Sequence, residues 1–506
     1  MSDSARPSFV TKVAFGLGGV CETGILAALA GFALFYYNQV LGLPASLAGL
    51  AMSVSIVFDG LVDPFIGSLS DRTRSRWGRR HPYLFVAPIP VAICFFAVFN
   101  PPSGLEAIWL FAWFLGFTVA LRFAMSVFQV PHLALGGELS SDYTERTRVM
   151  SYNNFLGAFG IVGTPFVALT FFLKDTAEYP RGILNPAGYG PWALTMALLL
   201  LACMLICAAV TSRRIPHLPQ PAADTPKFTP MDFVRDIRSA LMNRNYIALL
   251  IGVFFVSIMV GMRAGFQIYA QTFFWGLNSE QLRWFSFTNL AGYAVAFYIT
   301  ARLHNRFDKR RAMAWGAAAL GIIPAISLTL GLLGWAPSLE SGWLIPMLML
   351  LGAASSAVGA ILAISVLSGL ADIADQNELR YGLRQEGVLY STRAVFAKID
   401  AAVGTFFVGL TLDLAGLPER AVPGQVPEGV LQSIIFIDGP LLVIPGLLAA
   451  FAYSRYAISR SEYEETRTKL QAARAIKASR PEPPGAAGMA GAAGGRRGRP
   501  GRWLRT

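Results

Sequence analysis

Two aspartates, Asp59 and Asp63, stand four residues apart in the otherwise apolar run FDGLVDP. On a helix that spacing stacks them on one face, one turn apart. In a medium of low dielectric, two carboxylates so close cannot both stay ionised without positive charge beside them. A proton, a metal cation such as Na⁺ or a basic side chain would meet that demand, and the pair must titrate as a unit. A structural ion pair with a neighbouring helix is the plainer reading, but two acids on one face exceed what one pair requires. Lys398, in the apolar run RAVFAKID, is a natural counter-charge. An arriving cation would then have to displace it, which would couple ion binding to a conformational cycle. Local pairing of Lys398 with Asp400 is the alternative, although residues two apart on a helix do not face each other.

Other polar residues interrupt apolar runs. Arg122, Ser126 and Gln129 precede Pro131 at helical spacing. The Ser126 hydroxyl can add an oxygen to a cation site or bond its own backbone. Glu22 and Thr23 lie in the first apolar run and Arg263 in the seventh. Arg263 can hold an anionic solute with two parallel hydrogen bonds or pair with an acid such as Glu22. An ionisable residue inside a membrane span costs at least ~2.5–3.5 kcal/mol on insertion scales, so each needs a partner or a purpose. Tyr36, Tyr37 and Asn38, at the end of the first run, read as an interfacial aromatic belt.

The elements that position these residues follow from composition. Of 506 residues, 54% are hydrophobic and only 14% charged, where a soluble domain carries about a quarter charged. Apolar runs long enough to cross a bilayer recur along the chain, at about 11–37, 45–70, 83–100, 107–137, 149–173, 190–212, 246–274, 280–303, 312–334, 341–370, 386–415 and 429–456. Alternate loops (DRTRSRWGRRH, ERTR, 213–244, NRFDKRR and 372–384) are basic or strongly charged. The loops between them carry almost no positive charge, which predicts an even number of spans with both termini cytoplasmic, in a multi-pass inner-membrane protein. The net charge of +12 is spread over these short loops and is not gathered on a polar face, so no nucleic-acid partner is expected.

The expected organisation is therefore an all-α membrane protein of twelve transmembrane helices. It divides into a six-helix half over 1–212, a cytoplasmic linker over 213–244, a second half over 245–456 and a cytoplasmic tail over 457–506. The linker stretch MDFVRDIRSALMNRN can form an amphipathic helix on the membrane surface or a plain solvated one. The tail is Gly/Pro/Arg-rich from about Ser479, which predicts disorder.

Cys21, Cys94, Cys203 and Cys207 all fall within apolar runs and read as small buried hydrophobes. The N-terminus lacks the pattern of a cleaved leader. There is no Gly-Lys-Ser/Thr phosphate loop and no His-Glu-x-x-His, and His81, His132, His217 and His304 are scattered. No enzyme, resident cofactor or metal centre is expected; the partners are a small solute, a coupling cation and the bilayer, around a monomer.

Two six-helix halves joined by a linker resemble the major facilitator superfamily, and its fold is expected here. Gly67-Ser-Leu-Ser-Asp71-Arg72 after the second span matches that superfamily's loop motif, and Asn305-Arg-Phe-Asp308-Lys309-Arg310-Arg311 after the eighth is a partial copy. Their implied role is conformational, with Asp71 pairing with basic groups in one state and releasing them in the other.

Three blocks in order resemble the glycoside–pentoside–hexuronide:cation symporter family, the relatives of melibiose permease. The first is Asp59-x-x-x-Asp63-Pro64-x-x-Gly67-x-x-x-Asp71-Arg72-Thr73-x-x-Arg76-x-Gly78-Arg79. The second is Val130-Pro131-His132-Leu133-Ala134-Leu135, followed by Asp142-x-x-Glu145-Arg146. The third runs from Ala371-Asp372 through Asp375, Glu378, Gly382, Arg384, Glu386 and Gly387 to Lys398. The resemblance implies cation-coupled transport of a sugar, glycoside, uronide or similar solute, with Asp59, Asp63, Ser126 and Lys398 at the cation site. Asp71, Arg72, Arg146, Asp308, Arg384 and Glu386 would serve gating. Val62 stands where melibiose permeases have an asparagine, which removes an oxygen ligand and favours H⁺ over Na⁺.

The sugar-binding positions depart further. The first-helix aspartate falls at Thr23, beside Glu22; the fourth-helix aspartate falls at Gln129 and the tryptophan after it at Leu133; the fifth-helix arginine falls at Asn153. Arg122, Arg263 and Arg393 add positive charge instead. The expected solute is an acidic sugar or another small carboxylate, contacted by Glu22, Thr23, Arg122, Gln129, Asn153, Arg263 and Arg393. A lysolipid-type carrier is the alternative, compatible with 36 phenylalanines.

Overall fold

The computed structural model describes residues 6–140, 142–218, 241–381, 386–458 and 460–479. Among the described residues ten helices are long and apolar enough to cross a membrane: α1 (Phe9–Val40), α2 (Ala45–Arg72), α4 (Ala107–Glu138), α5 (Thr144–Phe172), α6 (Pro186–Ser212), α7 (Arg244–Phe274), α9 (Lys309–Leu332), α10 (Leu344–Leu379), α11 (Gly387–Leu414) and α12 (Glu428–Ser454). The third place holds α3 in two pieces, His81–Val86 and Pro88–Val98. Its expected continuity is broken at Pro88, which has no N–H to donate. The eighth place holds α8 (Ser279–Arg306), whose Glu280, Arg283, Asn289 and Arg302 dilute its apolar content. Together they match the all-α, twelve-helix membrane fold. A further helix, α13 (Arg460–Ser479), lies where only a tail was expected. It packs on α10, and Tyr463 sits under the Lys309 ammonium, 4.9 Å away. Residues 219–240, including most of the supposed amphipathic linker segment, and 480–506 lie outside the described residues.

Some helix starts carry side-chain caps, which satisfy N–H groups left without a helical acceptor. Asn278 and Gln281 form a reciprocal box at the start of α8, and Asn243 accepts from the Asn245 and Tyr246 amides at the start of α7.

The helix packing repeats with an offset of six. In the first half α1 packs on α5 and α6, α2 on α4, and α3 on α4 and α6. In the second, α7 packs on α11 and α12, α8 on α10, and α9 on α10 and α12. The ends of α1 and α7 repeat too. The Leu41 amide donates to the Tyr36 carbonyl and Leu43 to Tyr37; Trp275 donates to Ala270 and Leu277 to Gln271. Both turns require a positive φ, supplied by Gly42 (φ 78°) and Gly276 (φ 67°).

Among the described residues the halves meet chiefly at two helix pairs, α2 with α11 and α5 with α8, and α1 also touches α7. The two pairs are equivalent under the same repeat. A Cβ on Gly409 would meet the Ala45 carbonyl, so glycine is what allows α2 and α11 to cross so closely. On the face with few positive charges, two carboxylates tie the halves together. Asp413, in the last turn of α11, accepts from the Ala45 and Ser46 amides that open α2, at 2.9 and 2.8 Å. Asp175, after α5, accepts from the Ser279 and Glu280 amides that open α8, at 3.0 and 3.2 Å. A negative charge at a helix N-terminus meets both the free N–H groups and the positive end of the helix dipole.

The aromatic belt expected at Tyr36, Tyr37 and Asn38 is overturned. All three are buried, Tyr37 at 0% exposure. Tyr37 stacks on Phe114 with centroids 3.7 Å apart and donates to the Val98 carbonyl. Asn38 accepts from the Tyr269 hydroxyl across the halves. Packing between helices, not contact with lipid headgroups, explains these residues.

Candidate functional site

The α2–α11 contact carries the acidic pair and its counter-charge. Lys398 Nζ donates to Asp59 Oδ2 at 2.7 Å and to Asp63 Oδ2 at 2.5 Å. Ser126, on α4, donates to Asp59 Oδ1 at 3.0 Å. Arg122, one turn earlier, places Nη1 3.5 Å from Asp59 Oδ2 and donates from Nε to Ser55 Oγ at 3.0 Å. Asp59 is thus held by three donors, Asp63 by one. Exposure follows the same order: the side chain of Asp59 is 14% exposed, Asp63 29% and Lys398 32%. Pro64 follows Asp63 directly, and having no N–H it leaves the Gly60 carbonyl without its helical donor. Gly60 lies against the Lys398 stem.

Glu22 completes the cluster from α1. Its carboxylate accepts from Gln129 Nε2 and lies within electrostatic reach of Lys398, Asp63 and Asp59. With every group ionised, three acids face two bases and one negative charge is left over.

The residues expected to touch solute separate. Arg122 and Gln129 belong to the acidic cluster. Thr23 serves helix packing, donating to the Gly157 carbonyl of α5 at 2.6 Å and to the Gly19 carbonyl at 2.9 Å. Asn153 is buried, its side chain against Gly19 of α1. Of the two alternatives for Arg263, the pair with Glu22 is not formed: Glu22 takes Gln129, while Arg263 Nη2 donates to the Gly321 carbonyl at 2.7 Å and its charge acts on Asp438. Arg263 and Arg393 instead line a cavity of about 530 Å³ whose walls come from α7, α8, α9, α10, α11 and α12. Asp438, on α12, is its acidic member and is absent from the residues expected on sequence grounds. A lone acid in the apolar run SIIFIDGPLLVI is the signal that could have found it.

The residues assigned to gating sit on the basic face. Asp71 pairs with Arg80 at 2.5 Å, and Arg79 and Arg80 both reach Glu138 at the end of α4, at 2.8 Å. The second half repeats the theme, with Lys309 at the start of α9 paired to Asp372 of α10 at 2.8 Å. Arg72 is half-buried, and Arg146 and Asp308 are exposed. Beside Arg146, Glu145 binds Lys12 of α1 at 2.6 Å and Arg148 at 2.5 Å. Arg384 and the side chain of Glu386 lie outside the described residues.

A family model described as MFS/sugar transport protein matches residues 14–460. The symporter YnaJ of Bacillus subtilis is 29% identical, over 92% of this chain and 95% of its own. The isoprimeverose transporter of Lactiplantibacillus pentosus is 25% identical, over 85% of each chain. Among solved structures, the xylose transporter XylE from E. coli, in an inward-open conformation, superposes with a TM-score of 0.59 over 90% of this chain and 98% of that one, at 14% identity.

Proposed function

We propose, from the premise that this chain belongs to the MFS/sugar transport protein family, that it is a secondary symporter. It would move a sugar, glycoside, uronide or similar small organic solute together with H⁺ or Na⁺. The observation that carries this reading is a single ammonium, Lys398 Nζ, bridging two aspartates on another helix in the opposite half. Such a bridge offsets part of the acidic charge in place yet is replaceable. Asp59, already held by Lys398, Ser126 and Arg122, fixes the geometry. Asp63 is the carboxylate a cation would take from Lys398. One cation also balances the one negative charge left over in the cluster.

The rest of the cycle is alternating access about a site between the halves. The relatives named as a symporter and an isoprimeverose transporter support coupled movement of a small organic solute. The Asp413 and Asp175 ties would hold the basic-poor face shut, while Asp71, Arg80, Glu138, Lys309 and Asp372 would order the basic face. The halves would be 1–212 and 245–456, in the inner membrane with both termini cytoplasmic, and the carrier a monomer without enzymatic activity or resident cofactor.

The test is solute uptake by proteoliposomes under an imposed H⁺ or Na⁺ gradient. Asp59→Asn and Asp63→Asn each abolish gradient-driven uptake while the protein still inserts. Full coupled uptake in both single variants would refute the assignment.

A further inference from the structure

Ser55, Asp59 and Asp63 follow one another at four-residue spacing along α2, and Ser126 meets Asp59 from α4. Carboxylate and hydroxyl oxygens stacked in this way are what a hard metal cation takes as ligands. Both gaps in the ladder are nevertheless filled by nitrogen. Lys398 Nζ bridges Asp59 and Asp63. Arg122 bridges the turn before: its Nε donates to Ser55 Oγ at 3.0 Å, and its Nη1 lies 3.5 Å from Asp59 Oδ2. Ser55 itself donates to the Met52 carbonyl at 2.6 Å, and Ser126 donates to Asp59 Oδ1 at 3.0 Å. Arg122 is 8% exposed, and its ion-pair partner is Asp59.

The two bases differ in what a movement of the halves does to them. Lys398 comes from the second half, so rocking of one half against the other draws it away from the acids. Arg122 stands on α4, which packs along α2 within the first half, and it travels with Asp59. A guanidinium also keeps its proton in proteins, so this charge is present at every stage.

We propose that Arg122 is a built-in cation that bars metal ions from the acidic pair and leaves the proton as the coupling ion. A Na⁺ seated among Asp59, Asp63 and Ser126 would compete for oxygens that Arg122 already engages. It would also lie beside a fixed positive charge that a low dielectric screens poorly. A proton needs no shell of ligands, because it takes one carboxylate oxygen. The charges of the cluster agree. Glu22 of α1, Asp59 and Asp63 of α2, Arg122 of α4 and Lys398 of α11 sum to one negative charge, room for one proton. Without Arg122 two negative charges remain, and a metal cation can enter as well. The inference rests on the symport reading and names its cation.

The test is ²²Na⁺ binding to the purified full-length protein, which needs no solute and is scored apart from transport. The wild type is expected to show no saturable binding. Arg122→Asn replaces the guanidinium with an amide oxygen and should bind Na⁺ at least about tenfold more tightly than the wild type. Adding Asp59→Asn should remove that gain. Arg122→Lys keeps a positive charge and should keep Na⁺ out; an arginine needed only for packing would not divide the variants by charge. Arg122→Gln is the second neutral variant, used if Arg122→Asn does not fold. Saturable Na⁺ binding by the wild type, no gain in a folded neutral variant, or an equal gain in Arg122→Lys would each overturn the proposal. In proteoliposomes the wild type should follow an imposed H⁺ gradient and ignore a Na⁺ gradient; uptake driven by Na⁺ would also overturn it. If neither gradient drives uptake while the binding results hold, the symport reading alone is wrong.

Discussion

The two charged regions inside the membrane answer the same energetic problem in opposite ways. Around Asp59, charge meets charge: Lys398, Arg122 and Ser126 converge on one carboxylate within 3.5 Å. Around Asp438, Arg263 and Arg393, charges of both signs share a cavity with side-chain atoms left without hydrogen bonds. A hydrogen-bonded cluster holds together when empty and must be broken into by a competitor of the same sign as its base. In a symporter the first arrangement suits a small cation, which can replace an ammonium charge for charge. The second leaves buried polar atoms of both signs to carry a desolvation cost.

Ways to break this comparison can be ranked. The largest effect is expected at Asp59. Asp59→Asn should abolish coupled uptake and also destabilise the protein by about 3–5 kcal/mol, the usual cost of leaving buried charges without their partner. Urea or thermal unfolding in detergent reads the second part, and an unchanged melting temperature would show that Arg122 and Lys398 have other acceptors. Asp63→Asn should match the loss of coupling with a smaller loss of stability, because Asp63 has one partner and is more exposed.

Lys398→Gln should separate binding from cycling. Without the competing ammonium the acids bind a cation more tightly, but the empty carrier is left with uncompensated negative charge and returns poorly. Exchange of labelled for unlabelled solute should persist while net uptake falls by about tenfold or more, as expected for a change of at least about 1.4 kcal/mol in one step. Equal loss of exchange and net uptake would mean that Lys398 is only structural.

A smaller effect is expected where the halves are tied. Each of Asp413→Asn and Asp175→Asn removes a charge from a helix N-terminus, worth about 0.3–2 kcal/mol. The double variant should shift the population toward opening of the basic-poor face, raising labelling of a single cysteine introduced at Ser46 by a membrane-impermeant reagent. Because the two ties are equivalent under the six-helix repeat, the single variants should shift it by similar amounts. A large effect from one and none from the other would show that the repeat is broken in function.

Much of the first region is legible in the sequence and little of the second. Asp59 and Asp63 declare themselves because acids four residues apart in an apolar run must share one face of a buried helix. Lys398 stands out as a lysine in lipid. Their partner Arg122 reads as a solute contact because spacing along α4 does not say which neighbouring helix it faces. Asp438 is visible only as a single acid within a long apolar run, with no second charged residue at helical spacing in its own helix to suggest a pair. The ties at Asp413 and Asp175 are illegible for a different reason. Their partners are backbone amides more than 100 positions away, and backbone groups leave no mark in composition or spacing. Tyr36 and Tyr37 mislead because an aromatic pair at a span's end looks alike whether it faces headgroups or, as here, Phe114 and Tyr189.

The most direct measurement of the central claim is the number of cations bound per chain by the purified protein, from ²²Na⁺ binding and from proton uptake on acidification. One monovalent cation per chain, lost in Asp63→Asn, is the expected result. Undiminished binding in Asp63→Asn, or two cations per chain, would contradict the account.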